Sequence, residues 1–466
     1  GYFRIGNSST GFGVGMSLAL VGAGYLIGIS VGLAILAGLV LAWGVLTPIL
    51  TALYHPAGTP ADVALDIWRH KVRFIGAGTI GIAAIWTLAR LIGPVYSGIS
   101  SSLAASRRLA AAQGDENQVP RTERDLPIKT VVLISIACFV PMTVLFAVFL
   151  RSTDLAALAL PLILAGVAYV VLVGFLIAAG SGYMAGLIGA SNSPVSGLGI
   201  LSIIGAALLL LLVVKAAGAT GVPALIAYAL FITAVLLNVA TISNDNLQDL
   251  KTGQLVDATP WRQQVALIAG VAFGSIVIPP ILDLLNKAYG FTGGPHSLPA
   301  PQATLISALA KGVISGQLDW GLIGIGALIG VGIIGIDETL RATTRYQLPP
   351  LAVGLGIYLP AATTAATVVG AVVGWAYKRW LVDKPYAEVA KRLAVLVASG
   401  LIVGESLFGV LLAGVIVATG NAAPFALVGD SFHRFAVPLA AIAFALTIWL
   451  LFSWAARLAQ RVPTAT

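Results

Sequence analysis

The sequence predicts an all-helical protein threaded many times through a membrane. Three observations carry that prediction. Of 466 residues, 58% are hydrophobic and 9% are charged, where a soluble domain carries about 25% charged residues. Mean hydropathy is +0.98. Apolar runs that reach the roughly 20 residues needed to cross a bilayer recur along the whole chain. A transmembrane barrel would show short alternating segments instead, and none are seen.

Taken in order, the apolar spans fall near 13–50, 74–95, 130–150, 155–179, 198–214, 219–242, 263–286, 320–336, 349–377, 393–419 and 435–456. The first is long enough for one tilted span or for a broken helix with a half-helix ahead of it. Gln302–Gly316 is amphipathic and carries Lys311, so it is expected on the surface or as a re-entrant piece. Residues 106–129 form the longest soluble stretch, with Arg107, Arg108, Arg121, Arg124 and Lys129 set against Asp115, Glu116, Glu123 and Asp125. A cytoplasmic loop is expected there. Arg69, Lys71 and Arg73 lie one span earlier, and Lys378, Arg379, Lys384, Lys391 and Arg392 form a later cluster. A simple positive-inside count does not close over these clusters, which points to broken or re-entrant segments and leaves absolute topology open.

The net charge of +8 sits at span ends and loops, so it reads as membrane orientation rather than nucleic-acid binding. Cys138 is the only cysteine, which excludes a disulfide framework and a cysteine metal site. No His pair has metal-ligand spacing, and no Gly-rich nucleotide loop is present, so no cofactor, resident metal or ATP-driven step is expected.

An internal repeat is visible. Val21-Gly22-Ala23-Gly24 matches Val353-Gly354-Leu355-Gly356, and with the same offset Gly38 matches Gly370 and Trp43 matches Trp375. After a loop of different length, Arg69, Ala77, Gly78 and Ile80 match Lys391, Ser399, Gly400 and Ile402. The second copy is preceded by a large block of spans and the first by almost nothing, so the chain is expected to be N-terminally truncated. Residues 1–105 then end a first repeat half, 106–129 form the polar loop, and 130–466 form the second half. That second half holds a cavity motif at 183–197 and a polar loop at 243–262.

The uncharged stretch from Tyr183 to Gly197 holds hydroxyls, an amide, glycines and Pro194 between two spans. Non-helical backbone survives at membrane depth only where protein or a wet cavity satisfies it, and carriers build midplane sites from such breaks. A turn at the membrane surface is the plainer alternative. Tyr183, Asn192, Ser193, Pro194, Ser196 and Gly197 are the candidate substrate contacts. In the polar loop, Asp245 and Asp249 stand four residues apart with Gln248 and Lys251. They could hold a cation, form local ion pairs, or resemble part of the Asp-rich magnesium loop of a membrane prenyltransferase, with Asp337-Glu338 as the only other acidic pair near a span end. The prenyltransferase pattern is incomplete, and no enzyme is expected. Glu405 lies inside a span, where a carboxylate must face protein or water. It is the candidate proton carrier, with a buried hydrogen-bonded acid as the bland alternative.

Three segments in order resemble one family. Ser191-Asn192-Ser193-Pro194-Val195-Ser196-Gly197 is similar to the Asn-x-Pro-x-Ser-Gly segment of the oligopeptide transporter (OPT) superfamily. Asp245-Asn246-Leu247-Gln248-Asp249-Leu250-Lys251-Thr252-Gly253 resembles its Asp-x-x-Gln-Asp-x-Lys-Thr-Gly loop, which the yellow-stripe-like metal-chelate branch shares. Leu348 to Pro360 follows its Leu-Pro-x-x-Ala-x-Gly-x-Gly-x-Tyr-Leu-Pro pattern. The resemblance covers nearly the whole chain, looks most like bacterial members, and implies a multi-pass protein of the bacterial inner membrane. It implies proton-coupled symport of small oligopeptides by alternating access, or import of metal chelates such as siderophore- or nicotianamine-like complexes. Asn192, Ser193, Pro194, Ser196 and Gly197 would help form the cavity, and Asp245, Gln248, Asp249 and Lys251 would be structural or gating. Partners would be the substrate, protons and the bilayer, with self-association left open. Family chains carry a further N-terminal block of spans that nothing here matches.

Overall fold

The computed structural model describes residues 1–55, 57–87, 89–90, 120–188, 195–216, 222–291, 298, 301–316, 319–344, 346–426 and 432–461. It opens with a short hairpin, β1 (Tyr2–Ile5) and β2 (Ser8–Gly11), paired antiparallel. Helices then follow almost without interruption: α1 (Leu18–Ile27), α2 (Ile29–Leu39), α3 (Thr47–Tyr54), α4 (Pro60–Ile67), α5 (73–87), α6 (Ile128–Arg151), α7 (Ala159–Ile188), α8 (Val195–Ala216), α9 (Val222–Leu255) and α10 (Pro260–Tyr289). The series ends with α11 (Pro301–Ser315), α12 (Trp320–Thr343), α13 (Pro350–Tyr358), α14 (Ala361–Trp380), α15 (Ala387–Thr419) and α16 (His433–Ala459). Among the described residues, nine helical stretches are long and apolar enough to cross a membrane. The protein is an all-α multi-pass membrane protein. Its outer surface agrees with a lipid solvent: α10 buries none of its most apolar window, and Leu133, Leu172, Phe273 and Ile276 stand exposed. Such an apolar coat would be untenable in water.

The chain divides into two compact units. The first comprises Gly1–Ile80, Ile278–Pro301 and Gly321–Thr466, and the second Gly81–Val277 and Gln302–Trp320. In the second unit, α7 lies along α9, and α8 packs on both. Phe146 of α6 meets Tyr228 and Phe231 of α9 edge-on, at 5.3 and 5.1 Å. The Tyr228 hydroxyl donates to the Leu162 carbonyl at 3.1 Å, so the buried ring leaves no polar debt.

The first unit is built on breaks. α1 starts at Ser17, whose side chain caps the Leu20 amide. It stops at Gly28, which takes φ +82, a value a side chain would disfavour. α2 starts immediately afterwards. α13 stops at Leu359, held extended (φ −77, ψ 155) by the following Pro360, and α14 resumes at Ala361. Gly28 and Pro360 stand 332 positions apart, the offset at which Gly24 matches Gly356 and Gly38 matches Gly370.

Those glycines are also where the helices touch. A Cβ on Gly24 would strike the Thr367 carbonyl and Gly370, and one on Gly38 would strike the Val353 carbonyl and Gly356. So α1 crosses α14 and α2 crosses α13 through equivalent atoms exchanged between the copies. The next layer repeats the exchange: Gly22 faces Ile402, and Gly354 faces Ile80. Without a hydrophobic drive between helices in lipid, this backbone approach is the main source of cohesion.

Several expectations change. The stretch 243–253 is not a loop: α9 runs unbroken to Leu255, because no proline or tight turn interrupts it before Pro260 and its polar residues suit a helix end. Asp245, Gln248, Asp249 and Lys251 are therefore helical. Residues 183–188 continue α7 and 195–197 begin α8, so the cavity motif is helical at both ends, and 189–194 lie outside the described residues. The first long span takes the broken form, with the half-helix α1 ending at Gly28. Of the polar loop 106–129, residues 106–119 lie outside the described residues. Its end is pinned to the start of α10, where Gln264 accepts from the Leu126 amide and donates to Asp125. The hairpin was not anticipated, although Gly6-Asn7 between two short extended runs is a two-residue turn signal.

A Gly38→Ala variant is expected to lose roughly 1–3 kcal/mol through overpacking against the Val353 carbonyl. Gly400→Ala, where a Cβ meets nothing within 4 Å, should be neutral. Thermal unfolding of both variants in detergent checks this.

Candidate functional site

The polar segments sort between the two units. In the second unit, Ser181 of α7 donates to the Ala240 carbonyl at 3.2 Å and shares a 2.8 Å hydroxyl contact with Ser243 of α9. Gly182 and Gly186 face Leu247. Small residues thus bring the end of α7, with the partly exposed Tyr183, alongside the polar end of α9. Gly197 is buried at the start of α8. Asn192, Ser193 and Pro194 lie outside the described residues, as does the side chain of Ser196. On α9, Asp245 and Asp249 are exposed and share a helix face. Lys251 bonds Gln254 at 2.9 Å rather than a carboxylate, and Arg262 lies over the Trp261 ring.

In the first unit, Glu405 has a specific role. Ser17 donates to its Oε1 at 2.6 Å, and the Ala19 amide donates to its Oε2 at 2.9 Å. Ser17 also accepts from the Leu20 amide at 3.1 Å. An intramembrane carboxylate on α15 therefore closes the positive end of α1, the half-helix that leads to the Gly28 break. Anions at helix N-termini are favoured by the orphan amides and by the aligned peptide dipoles. Glu405 is exposed apart from these contacts.

A second cluster surrounds the other break, and its assembly was not legible from the sequence. Two π-helical segments, Val40–Leu46 between α2 and α3 and Trp68–Val72 between α4 and α5, each insert a wider turn. They face each other through Trp43 and Trp68, stacked at 5.7 Å. Trp68 Nε1 donates to the carbonyl of Ile357, one residue before the end of α13, at 3.4 Å. Thr10 of the hairpin donates to the Trp43 carbonyl. Arg73 is 8% exposed. Its guanidinium lies 5.2 Å from the Trp68 ring and 4.7 Å from the Tyr358 ring, and it donates to the Tyr358 hydroxyl at 2.5 Å. A cation is thus held in an aromatic sandwich at the C-terminal end of a broken helix, where the dipole favours positive charge. In the sequence Arg73 reads as one of three basic residues before a span. An arginine five positions after a tryptophan is too weak a signal to single it out.

Asp337, weighed above as an acidic ligand, is 2% exposed and already engaged. Arg341 Nε donates to it at 2.8 Å and the Leu348 amide at 2.7 Å. It fixes the chain entering α13. Among the described residues, no group of three His, Cys, Asp or Glu side chains could hold a metal.

Replacing Arg73 with Lys removes the planar stacking and the directed bond to Tyr358. The expected cost is roughly 1–3 kcal/mol, while Arg69→Lys on the exposed side should change stability by less than about 0.5 kcal/mol. Unfolding curves of the two variants test this.

The same chain resembles known proteins along most of its length. The family model described as OPT oligopeptide transporter protein matches residues 2–416. A Haemophilus influenzae protein named as an oligopeptide transporter is 42% identical over 450 residues, which cover 91% of this chain and 70% of that protein. Arabidopsis thaliana YSL8, named a probable metal-nicotianamine transporter, is 30% identical over 37% of this chain and 24% of its own. Oryza sativa YSL9, also named a probable metal-nicotianamine transporter, is 23% identical over 84% of this chain and 55% of its own length. No solved structure matches. Family and relatives are transporters rather than enzymes, and the chain belongs to the OPT oligopeptide transporter family.

Proposed function

We propose that this chain forms the body of a bacterial inner-membrane symporter that imports small oligopeptides by alternating access, driven by protons. The observation that carries the reading is the pair of helix breaks. Gly28 and Pro360 interrupt apolar helices at positions related by the same offset as the touching glycines. Interruptions at corresponding positions of two similar segments are a physical mark of carriers, because each break presents helix ends and unsatisfied backbone that an ion or substrate can use.

Glu405 supplies the coupling step in this reading. As a carboxylate it accepts from Ser17 and from the Ala19 amide and holds the start of α1. Protonation removes the charge that the helix end favours and leaves one oxygen as a donor facing an amide donor. The grip weakens, and α1 is freed to move at its Gly28 hinge. The proton then shifts an equilibrium by its differential effect on two positions of one half-helix. Tyr183, Asn192, Ser193, Pro194, Ser196 and Gly197 contact the substrate, and Asp245, Gln248, Asp249 and Lys251 tune the end of α9 beside them.

Peptides are favoured because the bacterial relative that shares most of this chain is named as an oligopeptide transporter. A metal chelate is the second reading, favoured by the likeness to the metal-nicotianamine relatives. The test is uptake into proteoliposomes holding the full-length protein under an inward proton gradient, comparing a labelled peptide pool with an iron chelate while internal pH is read. Substrate entry together with proton influx is expected for the peptide pool. Asn192→Ala should lower uptake at least tenfold, about the loss of one good polar contact. Glu405→Gln should abolish gradient-driven accumulation while leaving downhill exchange. Unchanged accumulation in Glu405→Gln across pH would remove that residue from the mechanism.

A further inference from the structure

A cavity of about 290 Å³ opens beside the Gly28 break, one helical turn beyond the Gly24–Gly370 crossing. Tyr25, Gly28 and Ile29 form one wall, and Trp375, Lys378 and Arg379 form the other. Both cations belong to the last turn of α14. Lys378 Nζ lies 5.3 Å from the Tyr25 ring centroid, and the Arg379 guanidinium lies 5.6 Å from the Trp375 ring. Neither forms an ion pair among the described residues, and no carboxylate lines the cavity.

Two further features add to the positive sign of the concavity. The first amides of α2 receive no side-chain cap at Gly28. A Cβ at Gly28 would meet nothing within 4 Å, so the backbone of the break stands open. Two cations and uncapped amides around one hollow make a receptor for an oxyanion.

We infer that this cavity binds the phosphate of an anionic lipid headgroup. The location favours lipid over a soluble anion. Trp375 and Trp380 are exposed on the same end of α14, and Lys384 lies over the Trp380 ring. Tryptophans and basic residues of this kind mark the headgroup level of a span. Basic pockets between spans at that level suit anionic headgroups. Lys384 has the same charge but does not line this cavity, which makes it the control for an ordinary interfacial lysine. The bound phosphate would bridge the end of α14 to the start of α2, across the hinge at which α1 ends.

The test uses the purified full-length protein in a neutral detergent. Phosphatidylglycerol, phosphatidylcholine and inorganic phosphate are added separately, with unfolding temperature and lipid retention in native mass spectrometry as readouts. Phosphatidylglycerol is expected to raise the unfolding temperature with concentration, as a ligand of the folded state must, and to be retained. Lys378→Gln combined with Arg379→Gln should lose both responses, and Lys384→Gln should keep them. An unchanged response in the double variant would overturn the cavity as the site. An equal response to inorganic phosphate would overturn the lipid as its source, and an equal response to phosphatidylcholine would overturn the role of charge. Should the double variant fail to fold, Lys378→Met carries the same test, because it keeps the apolar stem over Tyr25.

Discussion

Four glycines set the terms for the first unit. Gly24 against Gly370 and Gly38 against Gly356 let two pairs of helices meet at backbone distance. In lipid, burying apolar side chains gains little, because the surroundings are already apolar. What holds helices together is close contact, and close contact requires the absence of side chains at the crossing. Each crossing joins one of the matching sequence segments to the other, so the clusters around Tyr25 and Leu39 draw residues from both. The buried faces of α1 and α2 are covered mainly by α13, α14 and α15.

That arrangement leaves the helix ends as the places where polarity can be used. A continuous helix satisfies its own backbone, but a broken one presents amides at one side of the break and carbonyls at the other. The structure answers each with the matching charge. Glu405 meets the amides at the start of α1. Arg73 and the Trp68 indole meet the carbonyl end of α13. The uncapped start of α2 faces Lys378 and Arg379 across a hollow. Two of these three helix ends are thus met by an acid and a base from distant parts of the chain.

The sequence was most informative where physics leaves few choices. Hydropathy alone gave the class, since chains this apolar must span a membrane or precipitate. The match between Val21–Gly24 and Val353–Gly356 picked out residues that touch, because a glycine in a membrane helix is most useful where another helix approaches. Ser17 was not singled out, although a serine ahead of an apolar run is a cap signal, and its partner Glu405 is far away in the chain. The polar end of α9 has the charge density of a loop, yet its residues keep helical spacing up to Leu255. Arg73 escaped notice since its meaning depends on Trp68, Tyr358 and two π-turns meeting in space, and no local pattern encodes that meeting. The central Asn192–Pro194 segment carries the family resemblance, and its neighbours on α7 and α8 are helical.

The contact between Ser17 and Glu405 joins residues 388 positions apart. At the pace of ribosomal synthesis, roughly 5–20 residues per second, about 20 to 80 seconds separate the emergence of its two halves. Through that interval the start of α1 has only its local Ser17 cap, and its crossing glycines lack their partners until α13 and α14 are made. The first copy must therefore wait, half-assembled, until nearly the whole of the second has been made. A ribosome that stalls before α13 leaves a protein with most of its spans and an unfinished centre, which gives quality control a distinct target: glycine faces without their partner helices.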